Sequence, residues 1–284
     1  MSAEGVTIRR ISDPGQKERI AREILEALPD WFENVEAREG YIRDSREWVF
    51  FAAEDGGSAV GFLCLKETGK PVVTVLITGR PLVLEDIVAS SDAVLLAWYP
   101  GTEGGTAIAE TILGLNNPGG KLPISFPRAE GAIPCFYHAL RDRGNYVDCE
   151  GTAAYPFGYG LSYTTFDISK PTLSGNKVSV TVKNTGKMLG DEVVQMYIRD
   201  VLFSVARPVW ELRGFKRVTL APGASETLTF TLTEKELGFW NREQEYVVEP
   251  GQFVVGFDNH FSNEGLRKRA VTYVVKEPER AEAR

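Results

Sequence analysis

Apolar positions in the first part of the chain change period repeatedly. Val6, Ile8 and Ile11 mark an opening strand, Asp13-Pro14 a turn, and Ile20, Ile24, Leu25 and Leu28 recur at helical spacing until Pro29 ends the pattern. A short second helix is predicted around Tyr41 and Ile42. Two apolar runs then flank Asp55-Gly56-Gly57, the turn chemistry of a hairpin, because glycine takes positive φ without steric cost.

From Lys70 the texture changes. PVVTVLITG is a continuous β-rich run, a helical stretch spans Leu82 to Ala89, and AVLLAWY is a second apolar run. Runs apolar on both faces suit buried strands of a parallel sheet covered by helices. The loop PGTEGG leads into AIAETILG, where Ile108, Ile112 and Leu113 predict an apolar helix stripe. A sheet reduced to two such strands leaves an open edge, so the Asp55–Gly57 hairpin is expected to pack against it or extend it.

Turn formers dominate from Asn116 to about Phe166, which predicts loops packed on a neighbour. Beyond Lys177 the period becomes two. Val178, Val180 and Val182 alternate with Ser179 and Thr181, and Leu228, Phe230 and Leu232 alternate with threonines. Breaks at Asn184-Thr185-Gly186, Ala221-Pro222-Gly223 and Glu249-Pro250-Gly251 give strand spacings that predict an antiparallel sandwich of about seven strands. The charged end, KEPERAEAR, predicts a frayed tail.

Composition narrows the function classes. The 284 residues carry a net charge of −7 with cations scattered among carboxylates, so no basic stripe offers itself to nucleic acid. No apolar run is long enough to span a bilayer and the start lacks a secretory signal, so a cytoplasmic location is expected. Three cysteines without a close pair and two isolated histidines, His138 and His260, fit neither a disulfide framework nor a zinc site. No metal or cofactor is expected.

Three features carry candidate chemistry. The strand–loop–helix AVLLAWY-PGTEGGT-AIAETILG lacks the Lys-Ser/Thr of a phosphate loop and the G-x-G-x-x-G of a dinucleotide site. It nevertheless sits where open α/β sheets place ligands, so Trp98, Tyr99 and Glu103 are candidates for a sugar-pocket rim. The alternative is that Glu103 caps its helix and Trp98 packs in the core. The stretch NYVDCEGTAAYPFGYGLSYTTF gathers Tyr146, Tyr155, Phe157, Tyr159 and Tyr163, either as a sugar-stacking surface or as a plug of buried rings. Asp142, Asp148 and Glu150 are the local carboxylates for glycoside chemistry, which ordinarily needs two.

Longer phrases carry a resemblance. KPVVTVLITGRPLVL, AWYPGTEGGTAIAETILGLNNPGGKLPISFP, YPFGYGLSYTTF, VTVKNTGKMLGDEVVQMYIRD, RPVWELRGFKRVTLAPGASETLTFTL and EPGQFVVGFD follow one another in order. Over residues 70 to 275 they resemble the second half of the α/β-sandwich domain and the fibronectin type III-like domain of family 3 glycoside hydrolases, of the β-glucosidase and β-xylosidase type. The resemblance implies an α/β plus all-β chain divided as 70–166, a truncated α/β-sandwich domain, then 167–277, an immunoglobulin-like β-sandwich, and a 278–284 tail. It implies a carbohydrate-active protein derived from a β-glycosidase. In that family a preceding barrel supplies the Asp nucleophile and the first half of the sandwich domain the acid/base Glu. The resemblance reaches neither, so no catalytic residue is assigned and the chain is expected to be inactive alone, or to serve as a carbohydrate-binding or interaction module. It places Trp98, Tyr99 and Glu103 near substrate. Residues 1–69, through LPDWFENVEAREGYIRDSREWVFFAAEDGGSAVGFLCLKET, resemble the opening of a GNAT-type N-acetyltransferase, a partial α+β segment. No R/Q-x-x-G-x-G/A pyrophosphate loop follows it, so acetyl transfer is not expected.

Overall fold

The computed structural model describes residues 7–28, 34–56, 58–65, 70–140 and 149–276. Val6, Pro29, Gly57, Gly69, Asp142, Tyr146, Asp148 and the 278–284 tail, all invoked above, lie outside these residues. The chain parts into two compact units, 1–104 and 105–284.

In the first unit, β1 (Thr7–Ile11), α1 (Pro14–Glu26), α2 (Val35–Asp44), β2 (Val49–Asp55) and β3 (Ser58–Leu65) follow in order. Asp13 caps α1 by accepting from the Gln16 amide at 2.6 Å, with Pro14 pre-set for the first turn. Ile20, Ala21 and Leu25 of α1 bury against Ile11, Ile42, Phe50 and Ala52. The strands form an antiparallel sheet in the order β1-β2-β3, with Phe50 stacked on Phe62 at 5.1 Å. Lys17 is buried and its Nζ donates to the Trp48 carbonyl at 2.7 Å and the Arg46 carbonyl at 3.2 Å.

Cys64 is half-buried in this packing, and burial pushes its thiol up to about 12. The thiolate is the reactive species, and at pH 8 it amounts to about one part in 10⁴. Alkylation by iodoacetamide at that pH, followed by peptide mass mapping, is therefore expected to leave Cys64 as thiol in the native protein and to label it once the chain is unfolded in urea; ready labelling of the native protein would contradict the packing described.

The same unit ends in β4 (Val73–Leu76), α3 (Glu85–Ala89) and β5 (Ala93–Leu96). Among the described residues β4 and β5 pair in parallel as a sheet of their own, to which the hairpin adds no strand. The expectation of fully buried strands is also corrected. Leu76, Leu84 and Ile87 are buried, but Val73 and Ile77 are exposed and Val94 to Leu96 half-buried. A two-stranded sheet with one short helix leaves apolar side chains uncovered.

Helix α4 (Gly104–Ile112) starts at the boundary between the units. Its predicted stripe is not buried either: Ile108 is half-covered, and Ile112 and Leu113 are exposed. Thr111 is the residue of this helix that faces inward, with the Tyr163 hydroxyl donating to its carbonyl at 2.7 Å.

The second unit is a β-sandwich. Its strands are β6 (Phe166–Ile168), β7 (Thr172–Ser174), β8 (Lys177–Asn184), β9 (Gly190–Asp200), β10 (Glu211–Leu220) and β11 (Ser225–Thr231). Helix α5 (Glu234–Leu237), the hairpin β12 (Phe239–Trp240) and β13 (Tyr246–Val247), then β14 (Gly251–Asp258), α6 (Asn263–Lys268) and β15 (Ala270–Val275) complete it. One sheet runs β10-β9-β14-β15; the other runs β11-β8-β6, with β7 also paired to β8. Val178, Val180 and Val182 meet Val194, Met196, Ile198, Phe253, Val255 and Phe257 between the sheets. Their partners on the alternate face of β8, Ser179 and Thr181, instead meet Thr229 and Thr227 across the strands. That is the period-two pattern of the sequence made physical.

Candidate functional site

The parallel register Val73↔Ala93 to Leu76↔Leu96 delivers the chain from both strands to the same sheet end. The Asp92 carboxylate accepts from the Val72 amide at 2.7 Å, and Thr74 and Ser91 hydroxyls meet at 2.6 Å, so the strands are tied together at their start. The ladder runs one residue further through the Ala97 amide and the Leu76 carbonyl at 2.8 Å. Two loops, 77–84 and 97–103, leave from there. This is the carboxyl-end position at which open α/β sheets bind ligands.

Local sequence fixes the second loop. Trp98 has φ 53, a left-handed backbone that a bulky residue adopts at a cost of about 1–3 kcal/mol, and such strain concentrates at ligand sites. Gly101 follows with φ 70 and its carbonyl accepts from the Gly104 amide at 3.1 Å. Pro100 lies so close to Gly104 that a Cβ there would stand 2.6 Å from the proline ring. The loop is thus shaped by Pro100 and Gly101, with Gly104 at its end, before any ligand is considered.

Tyr99 is 78% exposed, yet its ring edge lies on Gly79 of the first loop, where a Cβ would come within 2.5 Å. Trp98 is half-buried and Glu103 is exposed immediately before α4. The structure therefore brings Tyr99 and Glu103 to one strand-end rim and adds Gly79 and Arg80, which the sequence reading did not single out. Arg80 is exposed, in a turn where Thr78 Oγ1 donates to the Arg80 carbonyl at 3.1 Å. The signal was present in Thr78-Gly79-Arg80, turn residues directly after a strand. Within loops 77–84 and 97–103, Glu103 is the one carboxylate.

The aromatic stretch resolves in favour of packing. Phe157 stacks on Tyr137 at 4.5 Å, Tyr137 meets Tyr197 at 5.9 Å and Phe261 at 5.7 Å, and Tyr159 stands edge-on to His260 at 6.0 Å. These rings cover the outer face of the β9–β14 sheet together with Trp210 and Leu266. Burial raises the Tyr137 and Tyr197 phenols above the ordinary range, so both stay protonated, and Tyr197 donates to Gln195 Oε1 at 2.5 Å. Glu150 is exposed and paired with Arg128 at 3.4 Å, which makes it a surface ion pair.

Buried carboxylates of the second unit each face a cation. Glu192 pairs with Lys121 at 2.9 Å, Asp200 with Arg207 at 2.7 Å and Asp258 with Arg269 at 3.1 Å. Such pairing is what a buried charge requires, so these groups are spoken for structurally. Among the described residues no group of three or more His, Cys, Asp and Glu is placed to hold a metal ion.

Residues 57–163 match the glycosyl hydrolase family 3 C-terminal domain, and residues 192–259 match the fibronectin type III-like domain. The chain carries both domains. It is similar to a periplasmic β-glucosidase of Salmonella typhimurium, 47% identical over 211 residues, covering 67% of this chain and 28% of that protein. A β-xylosidase of Formosa agariphila is 43% identical over 221 residues, covering 73% of this chain and 31% of the relative. Among solved structures, a Listeria innocua β-glucosidase bound to isofagomine superposes with a TM-score of 0.66 at 38% identity, over 73% of this chain and 31% of that one. A β-glucosidase from Erythrobacter marinus gives 0.69 at 32% identity, over 93% of this chain and 37% of that one. The chain thus spans less than a third of the length of the curated relatives named. The glycosyl hydrolase match begins at residue 57, thirteen residues before Lys70, where the sequence phrases placed its start.

Proposed function

We propose that the family 3 C-terminal domain of this chain contributes the sugar-pocket rim of a β-glycosidase acting on β-glucosides or β-xylosides. The observation that carries this reading is the strand-end rim itself: two loops from adjacent parallel strands, joined by the Tyr99 ring on Gly79, with the exposed Tyr99 and Glu103 side chains on the same loop. An aromatic face takes the C–H side of a pyranose, and a carboxylate accepts from its hydroxyls. Trp98 is assigned to the same rim through its strained backbone.

Hydrolysis needs two carboxylates across the scissile bond, about 5–5.5 Å apart for retention and 6.5–9.5 Å for inversion. The rim loops hold Glu103 alone. The chain by itself is therefore expected to bind sugar without releasing p-nitrophenol from the aryl β-glucoside or β-xyloside. Clear release that survives Glu103→Gln would overturn the rim as the relevant site. Calorimetric titration with glucose, xylose and cellobiose showing no heat would remove the sugar-binding reading as well.

The N-terminal element order β-α-α-β-β, with an antiparallel β1-β2-β3 sheet, supports a partial acetyltransferase-type origin for residues 1–69 as a matter of ancestry. It adds no acetyl-transfer activity to the proposal.

A further inference from the structure

The hairpin β12–β13 alternates inward and outward over two residues. Phe239 is buried under the Arg207 guanidinium, 4.7 Å from its ring centroid, whereas Trp240 points away and is 66% exposed. Its cross-strand partner is Tyr246, 42% exposed, and the rings meet edge to face at 5.5 Å and 67°. Single exposed apolar side chains are ordinary on protein surfaces, but this pair is held in place. The Tyr246 hydroxyl donates to the Lys235 carbonyl at 3.0 Å, and Arg213 Nη2 donates to the Gly238 carbonyl at 3.2 Å. Gly238 lets the ring sit against the backbone, since a Cβ there would meet Tyr246 at 2.5 Å. The connecting turn is closed by the Glu245 amide on Asn241 Oδ1 at 2.9 Å and the Asn241 amide on the Glu245 carbonyl at 3.0 Å, with Gln244 left-handed at φ 62. Fixing aromatic surface before a ligand arrives lowers the ordering cost of binding.

The chemistry around the rings selects the occupant. Trp240 and Tyr246 form a corner with two apolar walls, and the residues between them are Asn241, Arg242, Glu243, Gln244 and Glu245. An apolar helix or strand of a partner protein would need apolar surface to continue past the rings, and this turn offers none. A nucleic acid would meet two carboxylates against one guanidinium. A pyranose has an apolar C–H face to lie on indole and hydroxyls around its rim for amide and carboxylate groups.

We propose that this hairpin is a carbohydrate-docking site, with Trp240 as the stacking platform, that takes rings of a β-1,4-linked pyranose chain and lies apart in sequence and element from the strand-end rim. The choice of sugar class rests on the proposed function; the site itself rests on the hairpin. The test labels the chain with 5-fluorotryptophan, which gives one fluorine probe at each of the five tryptophans, and assigns Trp240 through Trp240→Phe. Xylohexaose and cellohexaose are the two probes. The Trp240 resonance is expected to move saturably with at least one of them. In affinity electrophoresis through xylan or hydroxyethylcellulose, Trp240→Ala should weaken binding by about tenfold or more, while Phe215→Ala, which removes an equally exposed aromatic ring of the same unit outside both proposed sites, leaves it within about twofold. A stationary Trp240 resonance, or retardation unchanged in Trp240→Ala, overturns the proposal. A shift confined to Trp98 and abolished by Glu103→Gln overturns it while upholding the strand-end rim, and no shift at either tryptophan sinks both.

Discussion

Arg207→Met is expected to destabilise the second unit by about 3–5 kcal/mol, the cost of leaving a buried charge without its partner. The Arg207 side chain is 5% exposed and its guanidinium bonds Asp200 Oδ2 and Glu211 Oε2, each at 2.7 Å, while lying over Phe239. Glu211 keeps Arg213 in the variant, but the Asp200 carboxylate keeps no side-chain cation among its described contacts. Burial already holds the Asp200 carboxyl above the usual carboxylate range despite Arg207. The sign of the pH dependence follows. A carboxyl whose folded pKa is raised favours the native state when protonated, so its contribution is present below the unfolded value of about 3.9 and is lost as pH rises through the folded value. Removing Arg207 raises that folded value further. Urea titrations should therefore show a deficit that is largest near neutral pH and shrinks as pH falls toward about 4. An equal deficit at both ends would mean that lost packing on Phe239, rather than the stranded Asp200 charge, dominates.

Asn184→Ala should cost about 3 kcal/mol or more, measured the same way. Asn184 is fully buried where β8 ends, and its side chain makes four hydrogen bonds. Its Oδ1 accepts from Thr164 Oγ1 at 2.7 Å and the Gly186 amide at 3.0 Å; its Nδ2 donates to the Met188 and Leu220 carbonyls, each at 2.8 Å. Alanine removes all four bonds, and each buried polar group left unsatisfied costs about 1–3 kcal/mol. Asn184→Asp conserves shape yet sets a carboxylate oxygen against two carbonyls, so it should be at least as damaging. A loss below about 1 kcal/mol in either variant would show that the turn re-forms around other partners.

The sandwich was readable because its strands obey one rule throughout. Val178, Val180 and Val182 face in while Ser179 and Thr181 face out, and each break falls on Gly, Pro or Asn. Asn184 read as a turn residue in the sequence; that its amide ties two strands and a loop together depends on contacts from Thr164 and Leu220, which no local pattern reveals. The apolar runs of β4, β5 and α4 misled for a related reason. Periodicity reports which side chains are apolar, while burial depends on what stands opposite, and Ile112 and Leu113 remain exposed. At the strand-end rim, Trp98, Tyr99 and Glu103 came from position after a strand and from family resemblance. Gly79 entered only through the three-dimensional approach of Tyr99, a contact between residues twenty apart in sequence.

The rings that cover the outer face of the sandwich also bear on how such a chain can be shuffled between genes. Lys121 on Glu192, Tyr137 on Tyr197, Tyr159 on His260 and the packing of Gly158 on the Gln195 side chain bind residues 119–160 to the sandwich whose strands begin at Phe166. A crossover placed at the sequence boundary near residue 166 would separate partners that bury one another, stranding Glu192 without its lysine and Tyr197 without its aromatic cover. The fibronectin-like strands are therefore heritable as a working piece only with the irregular stretch before them, and the smallest exchangeable cassette is longer than the fold it is named for.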